Sequence, residues 1–397
     1  MFQQLVSRNP DLASLVERGF AVAVDSGYLI VRDIPYLDHS GKLFTGAIVT
    51  KLEFIDLKRV KQVDHQIFFA GGVPHAIDGT PVPNLAGGGA SLPLSPSSAD
   101  IMVERSFSNK PQPSGHYDDF FHKISSYVTL ISGPAMEKHD TSPYTFREID
   151  TVGSNSPFKL QDTLTSRAEI TDLATLFQDE VVIVIGLGGT GAYLLDLLTK
   201  TPVREIRAFD PDTFHVHNAF RSPGRLEDGE LGQPKADVYR SRYEGFRDGL
   251  QIERDFIDAS SAERLSGATF AFVCVDSGPS RREVFDALIA QRIPFIDVGM
   301  GLKRQDGRLA GMARVTYYSA ADAARVRDMG LAELAEDPDD LYRTNIQIAE
   351  LNAFNACLAL IQYKQLRGFY AESAPSFHRL FNVGSVKITS LEDSDAA

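Results

Sequence analysis

In the stretch VVIVIGLGGTGAYLLDLL an apolar run meets Gly186, Gly188, Gly189 and Gly191 and continues as a helix-length segment. Glycines in that pattern let the backbone close on a phosphate, whose charge is met by the free N–H groups that open a helix. The next apolar run ends at Asp210, where an acid could hold ribose hydroxyls. A dinucleotide-binding oxidoreductase and a nucleotidyl-transfer enzyme would both use these parts. The following segment, AFDPDTFHVHNAFRSPGRLEDGELGQPKADVYR, separates them. It holds Asp210, Asp212, Asn218 and Arg221 in a polar loop and then Lys235 leading a helix. A nicotinamide site does not require such a set, whereas nucleotidyl transfer needs cations and donors around an α-phosphate that gathers charge as pyrophosphate leaves. A later strand delivers Asp276 in VDSGPSRR at the carboxyl end of a sheet, where open α/β folds place their ligands. A hard carboxylate beside a triphosphate is an anchor for magnesium.

These residues need a frame, and the pattern from Val181 onward supplies one. Short apolar strands, VVIVIG, EIRAFD, QIERDF, TFAFVCVD and PFIDVGMG, alternate with helix-length segments. That rhythm specifies a Rossmann-like α/β fold, a mainly parallel sheet with helices on both faces. After Gly301, LAGMARVTYYS and FHRLFNVGSVKITS read as antiparallel additions, with a long helix in NIQIAELNAFNACLALIQYKQL between them. The first part of the chain has another character. An amphipathic helix pattern gives way to AVAVDSGYLIVRDIPYL, GAIVTKLEFI and HQIFFAGGV, hairpin strands separated by turn residues. A Gly-, Ser- and Pro-rich loop follows, and then a helix over Tyr117–Ala135 that Gly133 and Pro134 are expected to stop. We therefore expect a smaller α+β domain over residues 1–150, of undisclosed role, and a second domain over 160–390.

Composition bounds the function. The 397 residues allow two domains, and 43% apolar with 23% charged residues is ordinary for a folded globular chain. A formal charge of −13 and the lack of any basic block argue against nucleic-acid binding. No leader peptide and no run of apolar residues long enough to span a bilayer is evident, so a cytoplasmic protein without a membrane is expected.

With these residues in order, the chain resembles the ThiF/MoeB adenylyltransferase family, which includes the adenylation domains of ubiquitin-activating enzymes. The family pattern is GxGGxG, DxDxxxxxNxxR, GxxK and a strand ending in Asp with a following Arg. It is met by Gly186/Gly188/Gly189/Gly191, Asp210/Asp212/Asn218/Arg221, Gly232/Lys235 and Asp276/Arg281. The resemblance covers roughly residues 160 to 390. It implies that ATP and Mg2+ are bound, with Asp210 on the ribose, Asn218, Arg221 and Lys235 on the phosphates, and Asp276 on the metal. It also implies an arginine that precedes the first strand and reaches into the partner subunit of a homodimer; Arg167 is the candidate. The implied activity is adenylation of the C-terminal glycine carboxylate of a ubiquitin-like or sulfur-carrier protein. A ubiquitin-conjugating-like enzyme is a further implied partner, and the chain looks like bacterial ThiF-type proteins, some of them tied to antiviral defence. A non-catalytic ATP- or partner-binding scaffold and an NAD-dependent oxidoreductase are the alternatives.

The chain departs from that family in its cysteines. Only Cys274 and Cys357 occur, so the paired CxxC zinc motifs are missing, and the segment after the fifth strand holds no cysteine to accept an acyl group. Cys274 reads as a structural thiol in a strand, and Cys357, on a helical face with Phe354 and Ile361, as core packing. His215 and His217 stand just before Asn218 without a third metal ligand nearby. Asp64, His65, His75 and Asp78 could mark a second site in the first domain, but turn formation is the more common role of such residues.

Overall fold

The computed structural model describes residues 2–392 except positions 26, 57, 86, 93, 95–97, 148–155, 160, 161, 163, 166, 167, 169 and 335–345. The chain divides into two compact units, Met1–Asn155 with Leu160–Thr175, and Ser156–Lys159 with Leu176–Ala397.

The first unit opens with two short helices, α1 (Phe2–Arg8) and α2 (Pro10–Glu17), where the pattern suggests one. Pro10 divides them, because it has no N–H for the preceding turn and its fixed φ suits a first helical position. An antiparallel sheet follows in the order β1 (Ala21–Asp25), β2 (Tyr28–Leu37), β3 (Leu43–Phe54), β5 (Gln66–Ala70), β6 (Arg105–Ser108), with β4 (Val60–Gln62) also on β3. Alternate residues of β2 serve two cores. Leu29 and Val31 pack with α2 and with α3 (Phe120–Lys138), while Tyr28 and Ile30 pack under Leu92 and Val103.

Helix α3 corrects the sequence reading, since Gly133 and Pro134 lie inside it rather than ending it. Asp119 caps its start by accepting from the His122 N–H at 2.7 Å. Its inner face of Ile124, Tyr127, Val128 and Ile131 is fully sequestered, and that burial outweighs the one backbone hydrogen bond that Pro134 forfeits. The same face buries Lys123, whose Nζ donates to Thr50 Oγ1 at 2.7 Å and to the Asp64 carbonyl at 2.6 Å. Burial lowers this ammonium to about 8.

The second unit is built on an eight-stranded sheet in the order β14-β13-β12-β11-β10-β7-β8-β9. Strands β11 (Phe295–Gln305), β10 (Phe270–Val273), β7 (Val181–Ile185), β8 (Glu205–Phe209) and β9 (Leu250–Glu253) are mutually parallel. Strands β12 (Arg308–Tyr318), β13 (Ser376–Asn382) and β14 (Lys387–Glu392) extend the β11 edge antiparallel. Central strands are apolar at every position because both faces are covered. Val182 and Val184 of β7 enter one core with α4 (Gly189–Thr199), α6 (Lys235–Tyr243) and α10 (Ala349–Leu366). Ile183 and Ile185 enter the other with α7 (Ala262–Leu265), α8 (Gly278–Ala290) and α9 (Ala323–Asp328).

Strand order reverses at β7, whose neighbours β8 and β10 lead to opposite sides of the sheet. This is the switch point at which a crevice opens beyond the carboxyl ends of the strands. At the opposite end of β7, Glu180 accepts from Arg367 through both carboxylate oxygens at 2.9 Å, from Tyr363 at 3.0 Å and from Thr269 at 2.8 Å. The end of α10 is thereby pinned to the sheet. Among the described residues no helix is long and apolar enough to cross a membrane.

Candidate functional site

The turn from β7 into α4 shows why four glycines are needed there. Gly186 has φ +91, and a Cβ on it would lie 2.8 Å from the Cys274 carbonyl oxygen. A Cβ on Gly191 would sit 1.9 Å from the Gly186 carbonyl oxygen, and one on Gly189 would sit 2.0 Å from Asn352 Nδ2. Gly188 is different. It is the N-cap of α4, with φ −70 and ψ −151, and a Cβ there would meet nothing within 4 Å. Internal packing accounts for three glycines, whereas the fourth keeps a surface clear in front of a helix N-terminus.

Beside this turn stands the loop between β8 and α6. Asp210 is 3% exposed, and its Oδ2 accepts from the Leu187 N–H at 2.6 Å while Oδ1 accepts from the Asp212 N–H at 2.9 Å. Lys235 Nζ lies 3.3 Å from Asp210 and 2.8 Å from Asp212. Asp210 therefore ties the glycine turn to the loop and the lysine, and it is the Asp212 carboxylate that faces outward. Asn218 sits in the one-turn helix α5 (Val216–Ala219), where its Oδ1 accepts from the His215 N–H at 2.8 Å. Arg221 follows, and its Nε is buried with no hydrogen-bond partner among the described residues. Asp212, Asn218, Arg221 and Lys235 line one open polar depression of about 450 Å³.

Five further residues line it that sequence reasoning did not place there, Pro211 and Thr213 and, with side chains able to bind, His215, His217 and Arg254. Arg254 follows β9, and its Nε donates to the Pro211 carbonyl at 3.0 Å. An arginine at the carboxyl end of a parallel strand is a usable but weak signal in the sequence. The two imidazoles stack at 5.8 Å. Burial, helped by Arg221, His215 and Lys235, lowers His217 below the usual imidazole range and favours its neutral form. Among the described residues no group of three or more His, Cys, Asp or Glu side chains could hold a metal, in this loop or around Asp64, His65, His75 and Asp78. Asp64 and Asp78 instead accept backbone N–H groups two residues on, as turn residues do.

Asp276 is exposed just beyond β10, the neighbour of β7. Its loop is held from behind by Arg281, 6% exposed, which donates to the Val275 carbonyl at 2.5 Å and to the Glu333 carbonyl at 3.0 Å. Arg281 Nε also lies 3.1 Å from Asp297, a fully buried carboxylate that Arg314 approaches from its other side. Cys274 lies beside these groups. Burial, reinforced by Asp297, pushes its thiol well up and keeps it protonated. Cys357 corrects the expectation of core packing: it is exposed, on the outer side of α10. The face it shares with Ile361, itself 42% exposed, is turned away from the sheet, which takes Asn355, Ala356, Ala359 and Tyr363 instead. Arg167 lies outside the described residues.

Residues 165–327 match the profile of the ThiF family. The chain carries a ThiF-family domain. Ahead of it, residues 10–163 match a domain of unknown function, DUF6791. The chain is similar to the solved structure of PaaA, at 15% identity and TM-score 0.42 over 56% of this chain and 76% of that one. It is similar to E. coli MccB with ATP, at 16% identity and TM-score 0.42 over 57% and 68%. A third similar structure is E. coli tRNA N6-threonylcarbamoyladenosine dehydratase TcdA in complex with AMP, at 19% identity and TM-score 0.40 over 51% and 92%. No curated protein sequence matches the chain.

Proposed function

We propose that the ThiF-family unit binds ATP across the switch point of its sheet and uses it to adenylate the C-terminal glycine carboxylate of a ubiquitin-like or sulfur-carrier protein. The observation that carries this reading is the gathering of Asp212, Asn218, Arg221 and Lys235 on one depression, joined through Asp210 to a glycine turn whose Gly188 is clear of the protein. Triphosphate oxygens are met there by the α4 N–H groups, by the Arg221 guanidinium and by Lys235. Asp212, rather than the enclosed Asp210, takes the ribose hydroxyls. Asp276, at the carboxyl end of the neighbouring strand, would hold a magnesium ion, which would supply charge neutralisation to the phosphates.

Little proton transfer is needed. The ionised carboxylate attacks the α-phosphorus, the bond to the bridging oxygen of pyrophosphate breaks, and an acyl adenylate forms. Arg221 and Lys235 act by holding the α-phosphate and by stabilising the charge that develops on leaving pyrophosphate. Asp210 acts behind them, fixing Lys235 and the Leu187 peptide. Arg167 from the second copy of a homodimer is a further cation for the same phosphates. With Cys274 held as a thiol and Cys357 on the outer side of α10, the acyl group passes to a nucleophile on another molecule, for which a ubiquitin-conjugating-like enzyme is the fitting partner.

ATP–pyrophosphate exchange in the presence of small proteins ending in glycine tests the proposal. Exchange that depends on the terminal glycine and is lost in Arg221→Ala and Asp276→Ala is expected. Exchange that survives both substitutions refutes the assigned roles.

A further inference from the structure

The glycine turn and Arg221 belong to different segments, yet both must close on the same phosphates. The link between them comes from a third place in the chain. Asn352, in the first turn of α10, is 1% exposed, and its Oδ1 accepts from Thr190 Oγ1 at 3.0 Å while its Nδ2 donates to the Arg221 carbonyl at 3.4 Å. Gly189 leaves the room for it, since any side chain at that position would overlap the Asn352 amide. Both polar ends of a buried amide are thus engaged, one by the α4 N-terminus and the other by the peptide that carries Arg221. An aliphatic side chain of similar size would fill the space without holding either.

We propose that Asn352 is a positioning residue for the nucleotide site, setting the distance between the phosphate-facing start of α4 and the Arg221 guanidinium. It touches no phosphate itself and acts through the Arg221 peptide. The inference rests on the ATP reading above, and it separates from that reading in its consequences. Losing one such bond loosens Arg221 and weakens only those ligands that Arg221 grips.

Titration calorimetry of the full chain with ATP and magnesium, and separately with adenosine, is the test. Asn352→Ala should weaken ATP by about fivefold, the range expected for one neutral hydrogen bond, while adenosine stays within about twofold. Asn352→Asp, which keeps the shape and the acceptor for Thr190 but cannot donate to the Arg221 carbonyl, should show the same selective loss. In an Arg221→Ala background, Asn352→Ala should weaken ATP no further. Equal loss for ATP and adenosine, or additive loss in the double variant, overturns the positioning role and leaves a packing residue. ATP affinity equal to wild type in both Asn352 variants overturns it outright. A wild-type chain that binds no ATP instead overturns the reading of the site on which the inference depends.

Discussion

Replacing the glycines one at a time distinguishes those that pack from the one that faces a ligand, and Gly188→Ala is the informative case. Its φ of −70 suits any residue, and the added methyl meets nothing within 4 Å. The folded state bears about 0.5–1 kcal/mol because alanine is a poorer N-cap than glycine. Reduced freedom of the unfolded chain offsets this by about 0.4–1 kcal/mol, so stability should change by less than about 0.5 kcal/mol. In a unit of this size that is a Tm shift under about 2 °C. At Gly191 the methyl would lie 1.9 Å from a backbone carbonyl oxygen, and the turn has to move by more than an ångström. We expect a cost of about 3 kcal/mol or more, a loss of roughly 6–12 °C. ATP at about a hundred times its Kd stabilises wild type by about 2.7 kcal/mol, or roughly 5–10 °C. Thermal melts with and without ATP and magnesium should therefore give three patterns. Wild type is stable and shifts, Gly188→Ala is equally stable and does not shift, and Gly191→Ala melts early. A full ATP shift in Gly188→Ala would refute the placement of phosphate over that residue.

Three other outcomes follow from the same geometry. Cys274→Ser with Cys357→Ser should retain pyrophosphate exchange, and iodoacetamide at neutral pH should label Cys357 alone in the native protein, since a thiol held protonated does not react. His378 is buried, and desolvation, aided by Arg314, lowers it to about 4. The unfolded chain takes up a proton near pH 6.5 and the folded one does not, so stability should fall as pH drops from about 6.5 to about 4, by on the order of 3 kcal/mol. His378→Gln should flatten that part of a urea-midpoint profile against pH. Arg247, 1% exposed, donates to the carbonyls of Thr201 at 3.1 Å and Val203 behind α4. Arg247→Met removes the side-chain donor from both carbonyls, of which Thr201 keeps only the Val203 N–H at 2.8 Å, and should lower the urea midpoint by an amount equal to about 1–3 kcal/mol without altering the affinity for adenosine.

What could be read in the sequence was whatever is set over short stretches. The parallel strands announce themselves because residues 181–185 and 270–273 are apolar at every position, and only a sheet covered on both faces asks for that. The glycine turn is legible because its conformation is local. The strands β4 and β6 were not, since three or four residues carry no period. Helix α3 ran on past Gly133 and Pro134 because packing against a distant sheet outweighed a local breaker. Within the candidate site, the loop residues from Asp212 to Lys235 share one chain segment and were found together. Arg254 and Asn352 were not, for their relevance comes from tertiary proximity across a long separation in sequence. Asp210 shows the converse: the residue type was noticed, but its burial, which makes it a brace rather than a surface group, is a property of the folded unit.

Helix α10 begins beside the glycine turn with Asn352 and ends with Tyr363 and Arg367 gripping Glu180, so it spans the central strand from one end to the other like a strut. The family profile stops at residue 327, before this strut starts. A fragment cut at that boundary would keep the recognisable motifs yet expose the apolar flank of β7 and α4 and leave the Glu180 carboxylate without its cation. The smallest piece able to stand alone is therefore longer than the piece that can be recognised, and any excision or fusion of this unit has to carry the chain through β13 and β14.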